Sequence, residues 1–324
     1  MIGWLALGLQ ASALAFVTSF TVSTVTAPLA TLMRRSRARA ARRADAAFLL
    51  GVLPMVTGAS LVGAMVLPSI LHVTGLRLDH CDLHSHHAHL CALHAEPASP
   101  LLLLAGLALT LVAGARALRL ASRQFRASRA VSNLERLGAR SEGPFPVTRV
   151  PGSPWVCLAT GIWHPRVVLS ASLEQALGTE GLDAALAHEH AHLERRDPAL
   201  RVALAWAGLW ALPTAASALE SAFRDAAEEA SDAEAAQVHG PLALAAALVS
   251  MARLPRPMPS MVSLGLGDTS LERRVQVLVS GVPAATRSWS LPTATGLIVG
   301  GLVVSFLSAE PLHHAVETLL HGWH

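Results

Sequence analysis

His188-Glu189-His190-Ala191-His192 is the segment of this chain with the clearest chemical consequence. On a helix, the spacing of four places His188 and His192 on one face, one turn apart, where both imidazoles reach a single ion. Glu189 then stands beside that ion as general base for its water, the arrangement of a zinc-dependent hydrolytic centre. The flanks favour a helix. Gly181-Leu182-Asp183-Ala184-Ala185-Leu186-Ala187 leads in with strong helix formers, and Pro198 is expected to stop it after Arg195-Arg196-Asp197. His190 points to the opposite face and reads as structural.

Catalytic zinc takes three protein ligands and leaves a fourth position for water. The third is sought in Arg224-Asp225-Ala226-Ala227-Glu228-Glu229-Ala230-Ser231-Asp232-Ala233-Glu234-Ala235-Ala236, an Ala-rich helix. Glu228 and Asp232 share a face, so Glu228 can ligate while Asp232 accepts the other ring N–H of a ligand histidine. Glu229 and Glu234 are rival acids, and a solvated acidic face is the bland alternative. A donor for the developing oxyanion is also needed, and His239 after this helix is a candidate. His164 has no assigned role.

Between 140 and 186 the pattern turns to short β-type runs: Phe145–Val150, Trp155–Thr160 and Arg166–Ser170, punctuated by Gly and Pro. They read as a small antiparallel sheet or hairpin ahead of the active-site helix. An edge strand there can bind an extended peptide by β-addition; equally, the hairpin can serve only to cover the helix. Thr269-Ser270-Leu271-Glu272 is a capping box opening a helix through Val279, read as a structural lead into the last apolar run.

The rest of the chain is greasy. Of 324 residues 52% are hydrophobic and only 15% charged, and mean hydropathy is +0.45; a soluble domain carries about a quarter charged residues. All 25 basic residues are Arg, and Lys and Tyr are absent. The pI near 9.3 reflects arginine runs beside apolar segments, which gives no reason to invoke direct nucleic-acid contact. Stretches 2–32, 47–73, 100–120 and 291–309 are long enough to span a bilayer. The first lacks a basic n-region, so it reads as a retained span. Arginines cluster at 34–43 and 116–129, whereas the loop 74–99 carries only Arg77. That asymmetry orients spans one to three out-to-in, in-to-out and out-to-in, and puts 121–290 in the cytoplasm with the tail 310–324 outside. The apolar run 202–219 is short for a span and would separate the two halves of the site if it crossed. It reads as a membrane-associated helical hairpin. The expected fold is a mainly α membrane protein with about four transmembrane helices and a cytoplasmic α+β zincin-like metallopeptidase domain.

Three segments carry a family resemblance. Gly161-Ile162-Trp163-His164-Pro165-Arg166-Val167-Val168-Leu169-Ser170 resembles the strand G-x-x-x-P-x-V-V-x-S of the BlaR/MecR-type antirepressor membrane metallopeptidases. Ala187 to Pro198 resembles their H-E-x-x-H-x-x-R-R-D-P helix, and Glu228 to Asp232 their E-x-x-x-D helix. The order of spans also matches, over about residues 1–310. The resemblance implies a gluzincin-like peptidase of a bacterial inner membrane, with His188, His192 and Glu228 on Zn2+, Glu189 as base and Asp232 behind a histidine. It implies cleavage of the chain itself or of a cytoplasmic transcriptional repressor; a homodimer is a further partner to consider. The antibiotic-sensing members carry a large penicillin-binding domain after the fourth span, whereas this sequence ends about fifteen residues beyond it, so β-lactam sensing by that route is not expected. HtpX-like and CAAX-prenyl membrane peptidases share the zinc motifs, which keeps membrane quality control as an alternative.

Sixteen His are present, and eleven fall on the expected outer side. His80, His84, His86, His87, His89 and His94 crowd one loop, with His72 before it and His313, His314, His321 and His324 in the tail. Such a tract can bind zinc, copper or nickel, or titrate near pH 6–6.5. This is the basis for the alternative of a non-proteolytic metal-sensing protein. Cys81 and Cys91 can close a disulfide across the same loop; Cys157 is expected reduced.

Overall fold

The computed structural model describes residues 2–36, 38–75, 100–141, 145–152, 155–254, 268–281 and 290–307. The histidine-rich loop, with His80, His84, His86, His87, His89, His94 and both of its cysteines, lies outside the described residues, as does the tail after Leu307.

The fold is mostly helical. Helices α1 (Ile2–Arg35), α2 (Ala40–Val73) and α3 (Pro100–Arg136) come first. Segments of all three are long and apolar enough to cross a membrane. They meet through small residues: a Cβ built on Gly106 of α3 would sit 2.1 Å from the Leu9 carbonyl oxygen of α1. Both α2 and α3 overrun the apolar stretches read from the sequence. Ala40-Ala41-Arg42-Arg43-Ala44 is helix, because Ala and Arg are strong helix formers and Ala41, Ala44, Ala47 and Phe48 are all buried. Likewise α3 runs uninterrupted through residue 120 to Arg136, so the compositional boundary there is not a break in the backbone.

Strands β1 (Ala139–Arg140), β2 (Val147–Val150), β3 (Cys157–Thr160) and β4 (Arg166–Ser170) follow, in the sheet order β1-β2-β4-β3. The expectation of a small antiparallel sheet or hairpin holds for one pair of strands and is corrected for another. β3 and β4 form the antiparallel hairpin, but β4 inserts beside β2 in parallel register, Val147 opposite Val167. Alternation then puts Val167 and Leu169 with Leu173, Leu182 and Leu193 on one face, and Val168 with Val150 and Val131 of α3 on the other.

Ser170 caps α4 (Ala171–Glu194), accepting from the Leu173 N–H, and Gly178 at φ +65° breaks the helix near its start. At its far end Arg196 adopts φ +61°, the only non-glycine in the left-handed region among the described residues. That turn reverses the chain directly into α5 (Asp197–Ala207). Pro198 therefore opens the next helix as well as following the last one. A 3-10 turn (Gly208–Trp210) leads to α6 (Pro213–His239), so the run 202–219 is split between two helices and a reversal. The reversal packs on the candidate spans: Trp210 stacks on Phe16 at 5.1 Å, and Ser23 Oγ accepts from Leu212 N at 3.3 Å. Arg116 of α3 donates to the Gly208 and Leu209 carbonyls at 2.9 and 3.2 Å, satisfying acceptors that a helix end leaves open.

Helices α7 (Pro241–Arg253), α8 (Asp268–Ser280) and α9 (Ser290–Leu307) complete the order. α9 lies where the fourth span is expected and packs along α2. One core joins Ala30, Ala44, Ala47, Phe48 and Val52 of α1 and α2 to Leu200, Leu204, Leu219 and Phe223 of α5 and α6. A second joins α4, α6, α7 and α8 around Ala184, Ala235, Leu244, Leu248 and Leu278.

Candidate metal centre

The site forms where α4 crosses α6. Both helices present alanines where they pack, Ala184 from one and Ala235 and Ala236 from the other, all buried. Side-chain size sets how closely two helix axes approach, so these alanines let short ligand side chains meet. His188 and His192 stand edge to face with Nε2 atoms 3.2 Å apart. Glu228 lies across from them, Oε2 at 3.5 Å from His188 Nε2 and Oε1 at 3.6 Å from His192 Nε2. These three residues could hold a metal ion.

The spacing can be tested against an ion directly. Ligands about 2.0–2.1 Å from a tetrahedral centre stand about 3.3 Å from one another. The separations of 3.2, 3.5 and 3.6 Å are close to that edge. The outer ring nitrogens support the same arrangement. His188 Nδ1 is 3.0 Å from Asp232 Oδ1, and His192 Nδ1 is 2.7 Å from Asp197 Oδ2 and 3.1 Å from Ser231 Oγ. His192, bonded through Nδ1, presents its Nε2 lone pair toward His188 and Glu228, while His188 Nδ1 has the Asp232 carboxylate beside it without a hydrogen bond. That donor set fits a cation.

Electrostatics in the metal-free chain follow from this crowding. Burial disfavours a charged His188, but Asp232 and Glu228 overcome it and raise its pKa from 6.5 to about 10. Glu228 and Asp232 are both buried, which works against their charge. His192, His188 and Arg274 nonetheless hold Glu228 well below the ordinary carboxylate range, and Arg274 with His188 lowers Asp232. Glu189 differs. Burial raises its pKa against the pull of His188 and His192, while Ala159 N–H donates to its Oε2 at 2.5 Å.

That contact locates the sheet. Ser170 N donates to the Val156 carbonyl, so Val156 faces β4; by alternation the backbone groups of Cys157 and Ala159 face away, along the free edge of β3. The free edge thus runs past Glu189. Cys157 on that strand has its thiol pKa pushed up by burial and by Glu189.

Several residues behave differently from the sequence reading. Arg274 was unassigned, yet its buried guanidinium spans Asp232 at 2.6 and 2.7 Å and reaches Glu228 Oε2 at 3.0 Å. The helix carrying it, read as a structural lead, is thus part of the site. The available signal was register: Arg274 falls in the stripe of Leu271, Val275 and Leu278 that α8 turns inward. Asp197 was likewise quoted only as part of a motif. His239, the candidate oxyanion donor, ends α6 eleven residues beyond Glu228, about 16 Å along one continuous helix. Glu229 points away from the ligands, paired with Arg43 of α2 and with Arg273 at 2.9 Å. Glu234 does not join the ligand group. His190 packs against Phe145 at 5.9 Å between ring centres. His164 gives only its carbonyl, to Arg166.

Comparison with protein-family models, with curated proteins and with solved structures gives no match, so function has to be argued from this centre itself.

Proposed function

We propose that the chain is an integral-membrane zinc metalloendopeptidase, cleaving peptide bonds on the cytoplasmic side in signal-regulated proteolysis of itself or of a transcriptional repressor. The observation that carries this reading is the convergence of His188, His192 and Glu228, with Glu189 between them and the free edge of β3. The two-nitrogen, one-carboxylate donor set is one that catalytic zinc uses, and His188, His192 and Glu228 would hold it. Zinc in that position supplies a Lewis acid and an acidified water.

The chain's own residues do the rest. An extended peptide adding to β3 meets the outward N–H of Cys157 and the C=O groups of Cys157 and Ala159, next to the Ala159 N–H that Glu189 holds, which aligns its backbone alongside Glu189. Glu189, its pKa raised by burial, takes a proton from the attacking water and returns it to the leaving amine. Asp197 and Ser231 keep the His192 imidazole in its ligating tautomer, and the Asp232 carboxylate lies 3.0 Å from His188 Nδ1. The cytoplasmic placement is supported by the arginine runs at 34–43 and 116–129, and the zincin-like architecture by a ligand helix packed under a small sheet.

The test uses the full chain purified in detergent, with bound metal quantified and cleavage of its own sequence and of a quenched-fluorescent peptide mixture followed. Glu189→Gln keeps the metal and loses about 10²–10⁴ in rate, the contribution of a positioned general base. Equal cleavage by both forms rejects the peptidase reading.

A further inference from the structure

Just beyond the metal ligands lies a pair of charges that the chemistry above leaves unused. On α6, Glu220, Arg224, Glu228 and Asp232 recur at intervals of four and share one face. On α5, Asp197 and Arg201 stand one turn apart. Asp197 is taken up by His192 and Arg195. Arg201, half-buried between the two helices, makes no ion pair and no side-chain hydrogen bond among the described residues. Its charged neighbours are Arg224, Glu228, Glu220 and Asp197. Arg224 has Glu220 at 3.7 Å, and its Nε is buried without a partner.

Charge accounting with a divalent ion in place is informative. Glu189, Asp197, Glu228 and Asp232 are then matched by the ion with Arg195 and Arg274. Arg201 and Arg224 remain, two guanidiniums near each other with Glu220 alone against them. An anion brought between them relieves that repulsion and meets guanidinium N–H groups that Glu220 does not satisfy.

We propose that Arg201 and Arg224 form a carboxylate-binding subsite beside the metal centre, so that preferred substrates carry an Asp or Glu close to the scissile bond. The proposal rests on the peptidase reading for its substrate class. Arg224 is one helical turn, about 5.4 Å, from the ligand Glu228. An extended peptide rises about 3.3 Å per residue, so the acidic residue falls within about two positions of the bond that is cut.

Binding is tested apart from cleavage. Zinc-loaded full-length Glu189→Gln protein is titrated by fluorescence anisotropy with two fluorescein-labelled peptide pools. They are identical except that one has a central Asp where the other has Asn. The Asp pool binds about tenfold more tightly, the scale of one charge-assisted hydrogen bond. Arg201→Gln brings the ratio within about twofold. Arg224→Gln lowers it, and Arg201→Glu favours a third pool with central Arg. Equal affinity for the Asp and Asn pools overturns the subsite. So does an Asp preference that survives both Gln substitutions, since the metal itself would then be holding the carboxylate. Asp-selective binding with no cleavage by the Glu189 form keeps the subsite and rejects the peptidase; cleavage without Asp preference does the reverse.

Discussion

Replacing Arg274 by Met isolates what the metal centre needs from its surroundings. The guanidinium is 4% exposed and bonds Asp232 twice while touching Glu228, so its loss strands two neighbouring carboxylates. Removing one partner of a buried ion pair costs about 3–5 kcal/mol. At about 2–4 °C per kcal/mol for a domain of this size, the metal-free protein should melt roughly 6–20 °C lower. A bound divalent ion would neutralise Glu228 directly and Asp232 through His188, and so substitute for much of the lost charge. The zinc-loaded variant should therefore fall by less than half as much. The assay is thermal melting of wild type and Arg274→Met in detergent, each with chelator and with excess zinc. An equal drop in both states, or none in the metal-free state, refutes the claim that Arg274 balances the charge of the ligand cluster.

Other expectations are narrower. His188 has its pKa raised from 6.5 to about 10 in the metal-free chain, so its stabilising contribution is complete below 6.5 and is lost as pH rises through about 10. Melts of chelated protein across that window should decline with pH, and those of His188→Gln should stay flatter. Asp197→Asn loosens His192 and should weaken zinc affinity about 10–100-fold, read by competition with a chromogenic chelator. Arg196→Gly should relieve part of the roughly 1–2 kcal/mol that a Cβ costs in the left-handed region, whereas β-branched Arg196→Val should destabilise; chemical denaturation compares the two.

Helical register made part of this centre legible in the sequence. His188, His192, Glu228 and Asp232 are related by fours, and a spacing of four has one geometric meaning once the segment is a helix. Partners set by tertiary packing were not legible in the same way. Arg274 follows Asp232 by 42 positions, and only the packing of α8 on α6 makes it a neighbour. Asp197 reaches His192 because Arg196 takes a conformation that no propensity favours. The sheet illustrates the same limit. The β-type runs read as a small antiparallel sheet or hairpin, but β4 lies between β2 and β3, where it can bury Val167 and Leu169 on α4 and Val168 on α3 at once. His239 illustrates the converse: on one helix with Glu228, it is held about 16 Å from it.

The shared core of α1, α2, α5 and α6 bears on where the chain can be cut. Leu200, Leu204, Leu219 and Phe223 are covered by Ala30, Ala44, Ala47, Phe48 and Val52, while Arg43 holds Glu229 beside the ligand Glu228. A fragment beginning near residue 120 would start inside α3, lose the Arg116 contacts that hold the 3-10 turn, and bare that apolar face to water. The candidate metal centre and the candidate spans are therefore one folding unit. Soluble expression of the ligand-bearing half should give aggregated protein even though every metal ligand is present.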